Sequence, residues 1–470
     1  MSLRLSDENM SILEETTPFF SIVIPAYNAE RCLDVCVSSV FHADVMKVAE
    51  VIIIDDCSTD QTADICKKLS VKYDRVSIHR NNRNLGVGLT RNKGISMCRG
   101  AYICFLDSDD YFGDFKLDQG IVDDLQENKY DLVFMSVVNN AIAHNLPEQI
   151  FECKFLHLDS ASIIDAMNEK QIYPNEPFGY FFKLEFLNSK KLFFPDMRIE
   201  EDQIFMCSVV LNMETARYIP EMQYIHTINA GGLATTFSSR NVVVFPKGID
   251  ILRGLHLIHC DDEVKRLFVD AIRRRLFKSL CYYIIIFHNK QGVFCYDELD
   301  RSLLWVFDDL FARSKPSELA MSSPTKFLTD TLVQDILGQV PNCLDSEEGR
   351  NYVYCLSDYS AAVVSVLMES GLKIESFIDD NRSGNTSFRF RGLSVQSFDD
   401  VCGSFDCSTP GKDVDRFFVC HQSSSVFEKI KRALLNAGVG ESSVVWVNFD
   451  PVCALNNFVS STPLVESKRL

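Results

Sequence analysis

Three aspartates stand close together after a short apolar segment, within "YICFLDSDDYF" at residues 102–112. Two carboxylates aimed at one point repel each other unless a cation lies between them or one takes up a proton. Residues two apart on extended backbone point the same way, so Asp107 and Asp109 are predicted to share a Mg²⁺ or Mn²⁺ ion that also binds substrate phosphates. The alternative is a solvated acidic turn in which Asp109 or Asp110 caps a helix, and this segment alone does not separate the two.

The acidic segment follows one of four apolar runs that alternate with helical patterns. Strands are predicted at "FFSIVIPAY", "AEVIIIDD", "VSIHRN" and "AYICFLD", with helices between them at "AERCLDVCVSSVF", "STDQTADICKKLS" and "GLTRNKGISMC". The runs are continuous rather than alternating, as in parallel strands covered on both faces, which predicts an α/β domain with a mostly parallel sheet. Ser58 or Thr59 is expected near the N-cap of the second helix. Such sheets bind ligands at the carboxyl ends of their strands, where Asp55, Asp56 and Asp107 lie.

The composition of the whole chain narrows the class of protein. A net charge of −18 over 470 residues argues against a nonspecific nucleic-acid binder, because nothing global attracts phosphates. The start of the chain lacks the apolar core of a signal peptide, and no run approaches the roughly 18 apolar residues of a membrane span. The 17 cysteines include no CxxC pair and are expected to be reduced thiols. A cytoplasmic location with at most peripheral membrane contact is predicted.

Changes in pattern along the chain predict four parts. They are a polar, flexible arm at 1–18, an α/β domain at 19–240, a helical region at 241–348 and a small second α/β domain at 349–470. The strongest helical pattern, "DDEVKRLFVDAIRRRLFKSLCYYIIIF", contains a cluster of basic residues, namely Lys265, Arg266, Arg273, Arg274, Arg275 and Lys278. A helix lying on an anionic membrane is one interpretation. An amphipathic helix packed on a protein core is favoured, because six apolar residues have core spacing, namely Val264, Leu267, Phe268, Ala271, Ile272 and Leu276.

Four segments of the first domain closely resemble the motifs of glycosyltransferase family 2, an inverting family with the GT-A nucleotide-sugar fold. They are "SIVIPAYNAE", "EVIIIDDCSTD", "NLGVGLTRNKGI" and "GAYICFLDSDD", in this order over residues 21–110. One such motif would be weak evidence, but four in order at family spacing are specific. The resemblance extends more loosely to about residue 236. It implies a GT-A domain over 19–236 that binds a nucleotide sugar.

The resemblance also implies which residues meet the nucleotide. Pro25, Ala26 and Tyr27 would line its pocket, with Tyr27 against the base, where stacking contributes about 1–3 kcal/mol. Asp55 or Asp56 would accept a hydrogen bond from the base, with a preference for Asp56. The alternatives are a core tyrosine and an aspartate that caps the following helix.

Other residues would bind the diphosphate and the metal. By the same resemblance, Arg91 contacts phosphate, and Asp107 and Ser108 belong to the donor site. Asp107 and Asp109 would bind the metal, and His226 would be a third ligand or a phosphate contact. The alternatives are an ordinary surface arginine and a structural histidine.

An inverting transferase also needs a general base on the acceptor side. The segment "MRIEEDQIF" at 197–205 matches the place where family members carry a Glu-Asp pair followed by a hydrophobic helix. Asp202 is the preferred base, with Glu201 beside it. Glu200 adds a third acid, so the assignment can be wrong by one residue. The alternative is an acidic first turn favoured by the helix dipole.

The second α/β domain resembles the Rossmann-like modules of sugar-modifying enzymes such as sugar acyltransferases. In "YVYCLSDYSAAVV" the expected phosphate-binding loop contains no glycine, although Asp379 or Asp380 has the position of a ribose contact. A structural or assembly role is predicted, and a homo-oligomer stays open. The first domain likewise lacks the GxGxxG pattern, because Arg91 stands at the third glycine, and so an oxidoreductase is disfavoured.

The leading interpretation is a metal-assisted inverting glycosyltransferase. Its donor would be a nucleoside-diphosphate sugar, and its acceptor a hydroxyl of a glycan or glycoconjugate. The alternative is a non-catalytic nucleotide-sugar-binding scaffold or sensor whose C-terminal domain binds a partner. The acids at 107, 109 and 202 argue against the alternative, because a sensor has no use for a general base.

Overall fold

A computed structural model describes most of the chain, in two compact units. The described residues are 17–42, 49–113, 119–139, 143–144, 157–227, 244–287, 303, 324–340, 350–354, 358–378, 389–390, 393–402, 415–420, 424–448, 450, 451 and 454. The first unit takes its described residues from Met1–Asn229 and Asp250–Arg273, and the second from Ala230–Ile249 and Arg274–Leu470.

The first unit is built on a ten-stranded sheet. Its strands are β1 (Phe20–Ala26), β2 (Ala49–Asp55), β3 (Val76–Arg80), β4 (Tyr102–Phe105), β5 (Tyr111–Phe112), β6 (Leu132–Asn139), β7 (Ala143–His144), β8 (His157–Asp159), β9 (Tyr180–Lys183) and β10 (Thr215–His226). Their order is β3-β2-β1-β4-β9-β6-β10-β5, with β7 paired to β6 and β8 to β10. Strands β1 to β4 are parallel, and β10 is parallel to β6, whereas β9 is antiparallel to both neighbours. The predicted GT-A type of α/β fold is confirmed.

The described helices that precede residue 350 include those that connect the strands of this sheet. In chain order they are α1 (Leu33–His42), α2 (Thr62–Lys72), α3 (Val87–Ile95), α4 (Gln119–Asn128), α5 (Ser160–Lys170), α6 (Leu184–Ser189), α7 (Glu201–Asn212), α8 (Phe245–Ile258), α9 (Glu263–Phe287) and α10 (Pro324–Gly338). All residues of β1 and β2 are buried, as continuous apolar runs predict for strands covered on both faces. The side chains of these two strands form the centre of the core together with α1 and α2.

Ser58 and Thr59 lie near the start of α2, as predicted, but neither of them caps the helix. The helix begins after Gln61, whose side chain makes no capping bond, and the carboxylate of Asp60 accepts the backbone N–H of Thr62 instead. Ser58 and Thr59 are used elsewhere, because both bond to Asn28 in the loop after β1. Serine and threonine are favoured at helix N-caps, but here Ser58 and Thr59 hydrogen-bond to Asn28 in another loop and do not cap the helix.

Helix α3 lies very close to β1, and this closeness depends on a glycine. A Cβ atom on Gly94 would lie 2.3 Å from Cγ1 of the fully buried Val23. We expect Gly94→Ala to lower the free energy of unfolding by about 1–3 kcal/mol, because the added methyl overpacks this contact. Urea denaturation of the purified protein measures it. The matched control is Gly254→Ala within α8, where a Cβ meets nothing within 4 Å. A Gly94→Ala protein as stable as Gly254→Ala would contradict this packing.

At least three of the six basic residues of the cluster on α9 make contacts with other groups of the protein. Arg273 is buried and pairs with Asp270, and Lys265 donates to the carbonyl of Leu211. Lys278 pairs with Asp450. These contacts support the amphipathic interpretation of this helix. One of its predicted core residues is misassigned, because Leu267 is 44% exposed.

In the part of the chain that the structure describes, no helix has both the length and the apolar character needed to cross a membrane. The expected location and peripheral membrane contact stay predictions.

The second unit carries a smaller sheet of six strands. They are β11 (Asn351–Tyr354), β12 (Ser376–Ile378), β13 (Arg389–Phe390), β14 (Leu393–Gln396), β15 (Arg416–Cys420) and β16 (Val444–Val447), with helices α11 (Asp358–Glu369), α12 (Phe398–Cys402) and α13 (Ser424–Asn436). The sheet order is β13-β14-β12-β11-β15-β16, and all pairs except β13–β14 are parallel. The five parallel strands thus have the doubly wound order 3-2-1-4-5, which confirms the Rossmann-like prediction. Asp379 and Asp380 lie outside the described residues.

Candidate active site

The predicted nucleotide pocket lies where the loops after β1 and β2 meet. The backbone N–H of Asn28 donates to the Ser58 hydroxyl at 3.0 Å, and the N–H of Thr59 donates to the Asn28 side chain at 2.8 Å. Asn28 has a left-handed φ of +52°, a conformation that asparagine tolerates better than most residues. Tyr27 is 49% exposed. It is therefore not a core tyrosine, and its ring is available for stacking.

Pro25 and Ala26 are the last two residues of β1 and are buried beneath this loop. They pair with Ile54 and Asp55 of β2, so the two strand ends lie side by side. Their contribution to a pocket would come from the backbone and from the small Ala26 side chain, which lets a ligand approach the strand end closely.

Asp55 and Asp56 are both buried and both bonded to the protein. Asp56 accepts hydrogen bonds from the side chain of Asn81 at 2.8 Å and from the backbone N–H groups of Leu85 at 2.8 Å and Gly86 at 2.9 Å. Asp56 therefore shapes the loop that leads into α3. Neither aspartate caps α2, since that helix begins six residues after Asp56. The predicted contact with a nucleotide base stays a prediction.

Asp55 has different partners from Asp56. One of its carboxylate oxygens accepts the backbone N–H of Ser58 at 2.8 Å, and the other lies 3.0 Å from Nη1 of Arg80. Arg80 also donates to the carbonyl of Ser58 at 2.9 Å, so the loop after β2 is fixed at both of these residues.

The acidic segment after β4 is a turn and not extended backbone. Strand β4 ends at Phe105, and the backbone N–H of Asp110 donates to the carbonyl of Asp107 at 3.0 Å. The prediction that Asp107 and Asp109 point the same way along extended backbone is therefore wrong, because the chain turns back at Asp107 toward β5. Asp107, Ser108 and Asp109 are partly exposed on this turn, where a ligand can reach them.

Asp110 is the buried anchor of the turn, and sequence reasoning missed this role. Its side chain is 1% exposed and accepts hydrogen bonds from Tyr224 Oη at 2.6 Å and from the backbone N–H of Thr227 at 2.7 Å. It also lies 3.1 Å from Nδ1 of His226. Tyr224 Oη in turn accepts the backbone N–H of Asp107 at 3.2 Å. The predicted helix cap is wrong, because strand β5 follows the turn.

His226 lies beside the acidic turn at the end of β10. Its ring stacks on Phe178 at 4.8 Å between centroids, and Phe178 also stacks on Tyr224 at 4.9 Å. Burial acts to lower the pKa of His226, but the hydrogen bond to Asp110 and the negative charges of the three aspartates outweigh it, and the pKa is raised. The bond at Nδ1 leaves Nε2 for another partner, an arrangement typical of metal-binding histidines.

Arg91 joins the acidic turn to α7. The side chain is 2% exposed, and it donates from Nη2 to Asp107 Oδ1 and from Nη1 to Asp202 Oδ1, both at 2.7 Å. The guanidinium lies 5.3 Å from the ring centroid of Phe194. Burial acts to lower the pKa of Arg91, but the two aspartates outweigh it and raise the pKa. Arg91 is thus not a surface arginine, and its predicted contact with phosphate stays a prediction.

The proposed base lies at the start of α7. Asp202 keeps 29% of its side chain exposed, whereas Glu201 is 4% exposed and packs against Gly88 of α3. Burial raises the pKa of both carboxyl groups, and each of them is raised further by other acids nearby, an effect that Arg91 opposes. Asp202 is therefore the better placed of the pair to meet an acceptor, and its raised pKa suits a general base.

The side chains at the acidic turn provide some, but not all, of the ligands of a Mg²⁺ or Mn²⁺ ion. Among the residues that the structure describes, no group of three or more His, Cys, Asp or Glu side chains is arranged to hold a metal ion. Asp107 and Asp109 alone offer the hard carboxylate oxygens that Mg²⁺ and Mn²⁺ prefer, and these ions usually keep several waters and take one or two carboxylates plus substrate phosphates. Two protein ligands are compatible with such a site, and His226 as a third stays a prediction.

Comparisons with known proteins identify the family that part of the chain matches. Residues 21–152 match the family model described as Glycosyl transferase family 2. The chain is 27% identical over 216 residues to the poly(ribitol-phosphate) beta-N-acetylglucosaminyltransferase TarS of Staphylococcus aureus, which covers 45% of this chain and 36% of that protein. It is 29% identical over 215 residues to the poly(ribitol-phosphate) beta-glucosyltransferase of Bacillus spizizenii, which covers 45% of this chain and 32% of that protein.

Among solved structures, S. aureus TarS 1–349 in complex with UDP-GlcNAc is similar at 18% identity and a TM-score of 0.46, covering 80% of this chain and 99% of that one. A likeness at this level implies no ligand for this chain. The chain also spans only about a third of the length of the two curated relatives. The four motifs, the parallel sheet that presents them and the family match agree: residues 21–152 form a glycosyltransferase family 2 domain.

Proposed function

We propose that the chain is an inverting glycosyltransferase that moves a sugar from a nucleoside-diphosphate sugar to a hydroxyl of a glycan or glycoconjugate. The observation that carries the proposal is a pair of carboxylates that Arg91 joins, Asp107 on the donor side and Asp202 on the acceptor side. Asp107 and Arg91 lie in the segment that matches the family 2 model, and Asp202 follows it in the chain. A sensor would need only the first of them.

In the proposed reaction, Asp202 takes the proton from the acceptor hydroxyl. The acceptor oxygen attacks the anomeric carbon from the side opposite the diphosphate, the bond to the diphosphate oxygen breaks, and the configuration inverts. Tyr27 would stack on the base, and the loop after β2 would hold the nucleotide beside it. A Mg²⁺ or Mn²⁺ ion held by Asp107 and Asp109 would neutralise charge on the departing diphosphate.

A donor screen tests the proposal. Purified protein with Mn²⁺ is mixed with a panel of UDP-, GDP- and dTDP-sugars, and release of the nucleoside diphosphate is measured. The likeness to the two curated relatives puts donors of N-acetylglucosamine and glucose, with poly(ribitol phosphate) as acceptor, first in the panel. We expect release with one donor, faster with an acceptor. Binding of a nucleotide sugar without turnover under any of these conditions would favour the scaffold or sensor instead.

A further inference from the structure

We propose that Arg91 is a positioning residue, which holds the base Asp202 against the donor side of the site by bridging it to Asp107. The inference rests on the proposed function and adds a residue to it. The two carboxylates belong to distant parts of the chain, 16 and 111 residues from Arg91, and each gives one oxygen to the same guanidinium at 2.7 Å. Arg91 thus fixes their separation.

The bridge uses only one oxygen of each carboxylate. Asp107 and Asp202 bind Arg91 through Oδ1, and the side chains keep 25% and 29% of their surface exposed. The second oxygen of Asp107 can therefore serve the donor, and the second oxygen of Asp202 can serve the acceptor hydroxyl. Arg91 itself is 2% exposed. In this proposal it acts through the two aspartates, in place of the direct phosphate contact that the family resemblance implies.

The surroundings of Arg91 hold its guanidinium in place. The next residue, Asn92, pairs with the backbone of Phe194, donating to its carbonyl at 2.8 Å and accepting its N–H at 2.9 Å. The Phe194 ring packs under the guanidinium, and the Phe105 ring lies 6.0 Å away. Arg91 also lies on α3, and Gly94 allows this helix to pack closely against β1. A rigid support of this kind is what a residue needs if it is to set the direction of a base to within a fraction of an ångström.

Lysine cannot replace this arrangement. The two carboxylates bind two different nitrogens of one planar guanidinium, whereas a lysine offers a single ammonium on a more flexible chain. Arg91→Lys therefore keeps the positive charge and removes the bridge. Arg91→Gln removes the charge as well, and it provides a second variant if one of them folds poorly.

The test compares chemistry with nucleotide binding. Arg91→Lys and Arg91→Gln are assayed for nucleoside diphosphate release at saturating donor, with the donor and acceptor that the screen identifies. The dissociation constant for the released nucleoside diphosphate with Mn²⁺ is measured by calorimetry. We expect kcat to fall at least 100-fold while this constant changes less than about fivefold, since the donor keeps its own contacts. The control is Arg217→Met, which removes a partly buried arginine that pairs with Asp124 of α4; its kcat should stay within twofold.

A double-variant comparison separates positioning from a general effect on the fold. If Arg91 acts through Asp202, then Arg91→Lys/Asp202→Asn should lose no more activity than Asp202→Asn alone. The proposal would be overturned if the activity losses of the two substitutions multiply in the double variant, or if Arg91→Lys keeps a kcat above a third of wild type. It would also be overturned if nucleotide binding falls in step with kcat, or if neither single variant folds. A wild-type protein that turns over no donor would instead reject the proposed function, so the two failures are distinguishable.

Discussion

Asp202→Asn is expected to lower acceptor transfer by about 10²–10⁴-fold, the range that general base catalysis contributes. The amide has the size of the carboxylate, and its oxygen can still accept the hydrogen bond from Nη1 of Arg91. What it loses is the ability to take a proton. The donor contacts lie on other elements, so the affinity for nucleoside diphosphate with Mn²⁺ should stay within a few-fold. Initial rates at saturating donor and acceptor, together with calorimetry, measure both quantities.

The neighbouring acid provides the matched control for this experiment. Glu201 is almost fully buried, so Glu201→Gln should retain far more transfer than Asp202→Asn. If Glu201→Gln is inactive and Asp202→Asn is active, the assignment of the base is wrong by one residue. The wild-type rate should also fall as the pH is lowered, with a midpoint above the usual carboxylate range near 4, because burial raises the pKa of Asp202. An acid limb in that position should be absent from the residual activity of Asp202→Asn.

The positions of the acids of this site relative to strands and helices could be predicted from the sequence because their signals are local, whereas the roles proposed for them came from the family resemblance. Asp107 and Asp109 stand at the end of an apolar run, and Asp202 follows Glu201 at the start of a helical pattern. Strand ends and helix starts are visible in the spacing of apolar residues. The parallel strands β1 to β4 could be predicted for the same reason, since each is a continuous apolar run between helical segments.

The partners of these acids could not be identified in this way. Arg91 meets Asp202 across 111 residues, and Asp110 meets Tyr224 across 114. Both contacts depend on how the second half of the sheet is ordered, with β9 inserted between β4 and β6 and β10 running parallel to β6. No periodicity in the chain specifies that order. The same limit explains Ser58, whose hydroxyl accepts the N–H of Asn28 and does not cap α2.

The partners of Asp110 and Asp107 explain how three carboxylates can lie close together after a buried strand. Of the three aspartates, Asp110 accepts hydrogen bonds from Tyr224 of β10 and from Thr227, which follows it, and Asp107 is paired with Arg91. Repulsion within the turn is therefore reduced by two separate parts of the fold before any metal binds. Asp107 and Asp109 remain partly exposed on this turn, where the proposed cation could reach them.

Asp109→Ala is accordingly expected to lower sugar transfer by about 10³-fold or more, because it removes a proposed metal ligand, and metal stabilisation of a departing group contributes several kcal/mol. The fold should survive, since Asp109 is partly exposed on a turn that Asp110 anchors. EDTA should abolish the wild-type activity, and Mn²⁺ or Mg²⁺ should restore it in wild type but not in Asp109→Ala. The control is Asp64→Ala, which removes an exposed aspartate on α2 that pairs with Lys67 and should keep full activity. Full transfer in EDTA, or in Asp109→Ala, would reject a metal role for the turn and leave the donor diphosphate to be stabilised by protein groups alone.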